Sequence, residues 1–497
     1  MSTLKRNFAA NLAGSVWSAL LTVAVLPIYL RLLGAELYGL IGFYTTLQML
    51  ILILDLGLGT AVNREMARLT LDGRGAALAR RLLKTLDLVY WAGGVLIFVT
   101  LALVANGLAV HWLKPVHVGT DVVGHALIAI GLIMGLQFPY GLYSGALLGL
   151  QRHVSLNAWL SVTTAVRLLL PIPVILRYGP NITLFFAIQA FAVAMQTIGA
   201  RVLVLRAIPK TQETVRADFG MLRSIRGFAA GVTAVTVLAV IVLQMDKVLM
   251  SRFASLQELG YYSVAAAAAT GLGVISLPVY AATFPRFSQL VAAGQRQAID
   301  ALYHSATQLV AALILPMAAI AAVFAHDLLS FWTSNPTAAE HCAQPLALLV
   351  IAVSASSLGY VAQALQLAEG WTRFAATING IGVIVLIPAM SIAAASNGGT
   401  GVALMSAGWS VIALCITATI MHRRLVQGSG LGWFIRDIAP PLLVSLVLTY
   451  TGRYLCSGLR GFALLAGIAV IAIITLLASM AVVPMTWEWI RQSRSAS

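Results

Sequence analysis

Charge is what this sequence has least of. Only 9% of its 497 residues are Asp, Glu, Lys or Arg, against about 25% in an average soluble domain, and the acids number just 16. Such a chain cannot clothe a water-solvated globule. Its residues are 60% apolar and its mean hydropathy is +0.92. The apolar runs are about 20 residues long rather than the alternating ten-residue segments of an outer-membrane barrel, so the expectation is an all-α integral membrane protein. Cysteine is scarce too. Cys342, Cys415 and Cys456 lack metal-type spacing; a Cys342 to Cys456 disulfide on the outer side is conceivable, but ordinary buried thiols are the simpler reading. The eight histidines form no metal constellation, and neither a metal nor a cofactor is expected. Long hydrophilic segments are also missing, the longest external one running from about His326 to Gln344. That leaves little room for a folded catalytic domain.

Cutting the apolar windows at charged or Pro/Gly-rich punctuation gives about fourteen spans between residues 8 and 484, among them 8–32, 37–62, 158–177 and 226–250. The first follows Lys5 and Arg6 and shows no convincing small-residue cleavage site, so it reads as a retained helix rather than a secretory signal. Lys and Arg set the orientation. One set of segments, comprising the N-terminus, the loops after even-numbered spans and the C-terminus, holds 22 of the 31 basic residues; the other holds 6, and Arg167, Arg201 and Lys247 lie within or at the ends of spans. Both termini are therefore expected in the cytoplasm. The net charge of +15 is then mostly topology, and no nucleic-acid partner is expected.

An ungapped shift of 222 residues brings out an internal echo: Glu36-Leu37 falls on Glu258-Leu259, Arg64 on Arg286, Ala76 on Ala298 and Thr85 on Thr307, while Tyr38-Gly39 faces the reversed pair Gly260-Tyr261. The same shift carries the first span onto the seventh and the second onto the eighth. An offset of six spans preserves orientation, so the chain reads as two parallel six-helix halves, 1–215 and 216–428, followed by two further helices and a cytoplasmic tail in 429–497. Transporters built from repeats bind their cargo between the halves and rock them for alternating access.

The stretch "LPIYLRLLGAELYGLIGFYTTLQMLILILDLGLGTAVNREMAR" at 26–68 resembles the opening of bacterial polysaccharide exporters. These are the Wzx-type flippases of lipid-linked oligosaccharides, within the multidrug/oligosaccharidyl-lipid/polysaccharide superfamily. The matching features are Arg31, Gly34, Tyr38-Gly39, Asp55-Leu56-Gly57 and Arg64. Residues 145–167 and 245–265 look like that family's junction of spans four and five and the start of its second half. The resemblance covers roughly the first 300 residues. It implies a non-enzymatic flippase of the bacterial inner membrane that moves an undecaprenyl-pyrophosphate-linked oligosaccharide between leaflets for O-antigen, capsule or exopolysaccharide assembly. Membrane lipids, polysaccharide polymerase and assembly proteins, and a coupling ion, H+ or Na+, are the partners it implies. A multidrug or other lipid-linked precursor exporter of the same superfamily is the first alternative. A membrane glycan polymerase or glycosyltransferase is the second, disfavoured because His326, Asp327, Glu340 and His341 form no recognisable catalytic set.

Within the spans, "SVTTAVRLLLPIPVILRYGP" at 161–180 places Arg167 among apolar residues, where charge costs about 2.5 to 3.5 kcal/mol on the insertion scale. Arg167 lies 10 residues before Arg177, about 15 Å below the outer end of its helix; Asp55 lies 9 residues before Arg64, about 13 Å above the inner end of its own. Three readings stand open for Arg167: a buried pair with Asp55, a contact to a lipid pyrophosphate, or a side chain that snorkels or meets carbonyls freed near Pro171 and Pro173. Lys247, Arg64 and Arg286 are further candidate substrate contacts, and Asp55 and Asp246 candidate coupling or ion-pair residues. Gly141, Gly145 and Gly149, spaced by four, suit a close helix crossing.

Overall fold

The computed structural model describes residues 3–69, 73–210 and 216–483, and every regular element in them is helical. Helices are what the sequence demands, because backbone polar groups in hydrocarbon must find their partners within the chain. Contacts divide the chain into two compact units, Met1–Gly260 and Tyr261–Ser497.

Unit 1 begins with α1 (Thr3–Leu54), whose 52 residues are divided at Gly34, where φ is 80° and ψ 167°. The expected first two spans lie on either side of this break. The second ends in another break, with Leu56 at φ 52° and Gly57 at φ 69°, after which α2 (Leu58–Arg68) resumes. α3 (Gly73–Gly107) runs into a π-helical turn, Leu108–Trp112. The fourth expected span is α4 (Thr120–Gln137) and α5 (Tyr140–Gly149), interrupted at Pro139. The fifth is α6 (His153–Leu169) and α7 (Pro171–Tyr178), which meet at Pro171. α8 (Ile182–Ala207) and α9 (Gly220–Phe253) follow.

The close crossing expected of the glycine stripe is between α5 and α2. A Cβ on Gly145 would stand 2.3 Å from the Gly59 carbonyl oxygen, and one on Gly149 2.4 Å from that of Asn63. Only a missing side chain allows backbones this near.

The structure divides the chain later than the expected boundary at 215/216. α9, expected to open the second half, packs on α1 and α2. Its end is clamped by the loop after α3: Trp112 Nε1 donates to Ser251 Oγ at 3.0 Å, Lys114 Nζ to the Phe253 carbonyl at 3.3 Å, and Leu256 N to the Lys114 carbonyl at 3.0 Å. The echoing glycines then touch. A Cβ on Gly39 would meet the Leu256 carbonyl oxygen at 2.1 Å, and one on Gly260 that of Ala35 at 2.0 Å.

Unit 2 takes over within α10 (Leu256–Gly273), which bends by 42° into α11 (Ser276–Ala292). α12 (Arg296–Val323), α13 (Ala325–Thr333) and α14 (Pro336–Ala368) follow, and then α15 (Thr372–Arg424), divided at Gly398 with φ 54°. The short α16 (Gly430–Trp433) leads through a π-helical segment, Phe434–Ile438, into α17 (Ala439–Leu455), and α18 (Gly461–Val482) closes the unit. Its core gathers Phe287, Tyr303, Ile314, Leu365, Met421 and Trp433. Phe462, Ile473 and Leu477 of α18 are exposed, as suits a helix facing lipid tails rather than water.

Among the described residues ten helices are long and apolar enough to cross a membrane, or eleven if the bent pair α10 and α11 is one span. The count falls short of the expected fourteen partly because Gly34 and Gly398 each divide what is otherwise one continuous helix, and α9 is not among the helices counted. The side chains of Lys5, Arg6, Arg74, Arg223 and Arg226, and Arg491 and Arg494 altogether, lie outside the described residues.

The α2 and α5 crossing gives a stability prediction. Gly145→Val should destabilise the protein by about 1 to 3 kcal/mol through overpacking. Gly271→Ala, whose Cβ would meet nothing within 4 Å, should cost nothing. Thermal unfolding in detergent distinguishes them.

Candidate functional site

Arg167 owes its setting to the proline four residues on. Pro171 has no N–H, so the Arg167 carbonyl loses its intrahelical donor. Gln189 of α8 supplies one instead, its Nε2 donating to that carbonyl at 2.9 Å while its Oε1 accepts from Arg167 Nε at 2.8 Å. Gln48 of α1 holds the other side of the fork, its Oε1 accepting from Nη2 at 2.8 Å. Gln48 is itself aimed by its Nε2, which donates to Gln137 Oε1 at 2.6 Å and the Tyr44 hydroxyl at 2.9 Å. The Tyr44 ring lies 5.5 Å from the guanidinium carbon, within range of a cation–π attraction.

Every one of these partners is neutral. Hydrogen bonds from a charged donor contribute about 1.5 to 3 kcal/mol each, so two of them match the insertion penalty of about 2.5 to 3.5 kcal/mol. The arginine is thus stable in its place without an acid, and its charge is solvated but not cancelled. It lines a cavity of about 250 Å³ together with Tyr29, Tyr38, Thr45, Thr164 and Gln189. Tyr29 is fixed by donating to the Leu168 carbonyl at 2.7 Å. The result is a largely apolar recess, walled also by Val25, Leu26, Ile41 and Phe185, with one positive charge and several Tyr and Thr side chains at its lining.

The expected pair of Arg167 with Asp55 is not formed. Asp55 Oδ1 accepts from the Tyr90 hydroxyl at 2.6 Å and Oδ2 from the Gly59 amide at 3.1 Å. The acid therefore takes up a free amide in the first turn of α2, where the second span breaks and a helix N-terminus favours a carboxylate. Arg167 instead meets Gln48, seven residues earlier on α1 and hence about 10 Å away along the helix. Nor does Arg167 reach for the carbonyls near Pro171: the freed one is its own, and Gln189 takes it.

The other candidates stand elsewhere. Asp246 and Lys247 are half-buried on α9, Asp246 Oδ1 accepting the Lys247 amide at 2.8 Å. Arg64 is exposed on α2, and Arg286 is exposed on α11 with Nη1 donating to Gln289 Oε1 at 3.3 Å. Among the described residues, none of Asp55, Asp246, Lys247, Arg64 and Arg286 lines the Arg167 recess. Gln48, Gln189 and Tyr44 were not foreseen. The available signal was a glutamine inside each of two apolar runs, "TTLQMLILIL" and "LFFAIQAFAVAMQ".

The second and eighth expected spans are both broken, one at Asp55 to Gly57 and the other at Val274 and Ile275. The 222-residue shift carries the first break to 277–279, three residues past the second.

The family model described as polysaccharide biosynthesis protein matches residues 4–291, more than half of the chain. The chain belongs to the polysaccharide biosynthesis protein family. A second model, MatE, matches residues 233–392. No curated protein sequence matches this family member significantly. Solved structures match its fold. The lipid II flippase MurJ in an inward closed conformation has a TM-score of 0.73 at 13% identity, over 94% of this chain and 97% of that one. An inward-facing multidrug resistance MATE family transporter of the MOP superfamily has a TM-score of 0.68 at 14% identity, over 82% and 94%. A MOP superfamily transporter from Pyrococcus furiosus, described as having a binding pocket of reverse polarity, has a TM-score of 0.55 at 15% identity, over 85% and 95%. These neighbours are flippases and transporters rather than enzymes, and the chain shares their multi-span helical fold.

The role of Asp55 is testable. Asp55→Ala should lower stability by about 1 to 3 kcal/mol, since it strands the buried Tyr90 hydroxyl. Asp55→Asn should not rescue an Arg167→Ala protein, because the two side chains are not partners. Thermal unfolding checks the first outcome and a glycan-export assay of the double variant the second.

Proposed function

We propose that this protein is a flippase of the bacterial inner membrane, with both termini in the cytoplasm. It carries an undecaprenyl-pyrophosphate-linked oligosaccharide, a unit of O-antigen, capsule or exopolysaccharide, from the cytoplasmic to the periplasmic leaflet. The observation that supports this most is the charge of Arg167, held by two amides and an aromatic face in a recess whose lining includes Tyr and Thr side chains among apolar ones. A planar guanidinium engages phosphate oxygens bidentately, and the Tyr and Thr hydroxyls suit sugar. A recess of about 250 Å³ is smaller than a typical drug-sized pocket of about 300 to 1,000 Å³, so it would grip one group of the cargo and not the whole.

Alternating access, with repeat-related helices moving about their breaks, would carry the cargo across; the protein performs no covalent step. Arg64 and Arg286 would meet headgroups at the inner face, and polymerase and assembly proteins would take up the product. The MatE match keeps export of another amphiphile as a second reading. A cationic drug is disfavoured, since the recess presents Arg167 and, among its lining residues, no carboxylate.

Deletion of the gene should abolish the surface glycan and leave its lipid-linked intermediate at the inner leaflet; drug sensitivity with intact glycan would instead support the second reading. At matched protein levels, Arg167→Ala should lower export about tenfold to a hundredfold, the loss of roughly 1.5 to 3 kcal/mol of charge-assisted bonding. Arg167→Lys, which keeps charge but not the fork, should fall between. Normal glycan with Arg167→Ala would sink the assignment.

A further inference from the structure

Unit 2 holds a second buried charge site that the flippase reading leaves unused. Asp437 is fully buried, 0% exposed, in the π-helical segment Phe434–Ile438. Pro440 and Pro441 at the start of α17 cannot donate to the carbonyls of Arg436 and Asp437. The wider turn ahead of them directs the Asp437 side chain onto α12, and π-helical turns of this kind recur at functional sites. There Gln308 Nε2 donates to its Oδ1 at 2.7 Å and His304 Nδ1 contacts its Oδ2. The other edge of the pair is open, since His304 is 20% exposed.

The surroundings contain hydrogen-bonding atoms that the fold does not use. His422 of α15 stands 6.1 Å from His304 and 6.1 Å from Trp433, ring to ring. His422 Nδ1 meets the Ala418 carbonyl at 2.8 Å, but His422 Nε2 and Trp433 Nε1 are buried without a protein partner. Tyr303 of α12 completes the wall, 5.7 Å from His422. The remaining charges nearby are engaged elsewhere or exposed. Asp300 accepts the Gln427 amide at 3.2 Å, Arg296 pairs with Glu369 at 2.6 Å, Arg424 lies 5.2 Å from the Trp371 ring, and Arg423 and Arg436 are exposed. None of these cations is within ion-pair distance of Asp437 among the described residues, so His304 alone can balance the carboxylate.

The geometry points to His304 and Asp437 as a proton-binding site of unit 2, loading and releasing one proton as the transporter cycles. With the imidazole protonated on both nitrogens the pair is neutral and can stay buried. Release of the Nε2 proton through the exposed edge leaves neutral imidazole, its Nδ1–H still donated to the carboxylate, and a net charge of −1. A buried uncompensated carboxylate is unfavourable, so the unloaded state loosens the π segment from α12. Proton occupancy thus biases a two-state contact at the foot of α17. The role as a coupling proton rests on the flippase reading; the binding of the proton does not.

The test uses full-length protein in phosphatidylethanolamine and phosphatidylglycerol vesicles on a solid-supported membrane, with a series of pH steps and no cargo. Wild type should give a transient charge displacement. It should be lost in Asp437→Asn and in His304→Gln, and partly restored in Asp437→Glu, all three shown to be folded by monodisperse elution. An undiminished transient in Asp437→Asn, or none in wild type, overturns the site. In cells, Asp437→Asn at matched protein levels should lose surface glycan. Normal glycan there, with the transient lost, overturns the coupling role. Because the transient needs no cargo, its outcome is independent of whether deletion of the gene affects the glycan.

Discussion

The cation of Arg167 is kept in an apolar span by groups that solvate it without neutralising it. Two glutamine amides and a tyrosine face offset the cost of insertion, and each is positioned by something else: Gln189 by the carbonyl that Pro171 frees, Gln48 by Gln137 and Tyr44. A salt bridge would have satisfied the same arginine and made it inert toward anions. The neutral shell leaves a field that a phosphate can answer, and the functional reading depends on that difference.

Helix breaks are the second recurring device. Gly34 and Gly398 divide double-length helices into successive spans, while the Asp55 to Gly57 turn, Pro139, Pro171 and the Val274 bend interrupt single spans. Each frees backbone groups that must be satisfied from elsewhere, and the side chains recruited are polar. Asp55 and Gln189 are present for that reason. Asp437 likewise lies in an irregular segment, ahead of paired prolines. Three of the polar side chains central to the structure, Asp55, Gln189 and Asp437, thus act at or beside helix irregularities.

Much of this was legible in the residues. Apolar run lengths dictate an all-helical membrane protein, and the opening motifs carry a family resemblance that the matched family model supports. The stripe of Gly145 and Gly149 is a close crossing. Two things were hidden. Depth along a helix cannot say which way a side chain points, so Asp55 and Arg167 looked like partners when each had a neutral one of its own. The boundary after residue 215 followed the repeat, whereas contacts follow the clamp of Trp112 and Lys114 on the end of α9. His304 and Asp437 escaped notice because they are 133 residues apart and sit near ends of apolar runs, where charge is unremarkable.

The central claim is that Arg167 recognises an anionic headgroup. Its most direct test is binding of a short-chain prenyl pyrophosphate, against the corresponding neutral prenol, to purified wild-type and Arg167→Ala protein. The account predicts that the pyrophosphate binds wild type about tenfold or more tightly than Arg167→Ala, the strength of a charge-assisted bond, while the prenol binds both alike. Equal affinity of the pyrophosphate for the two proteins would contradict it.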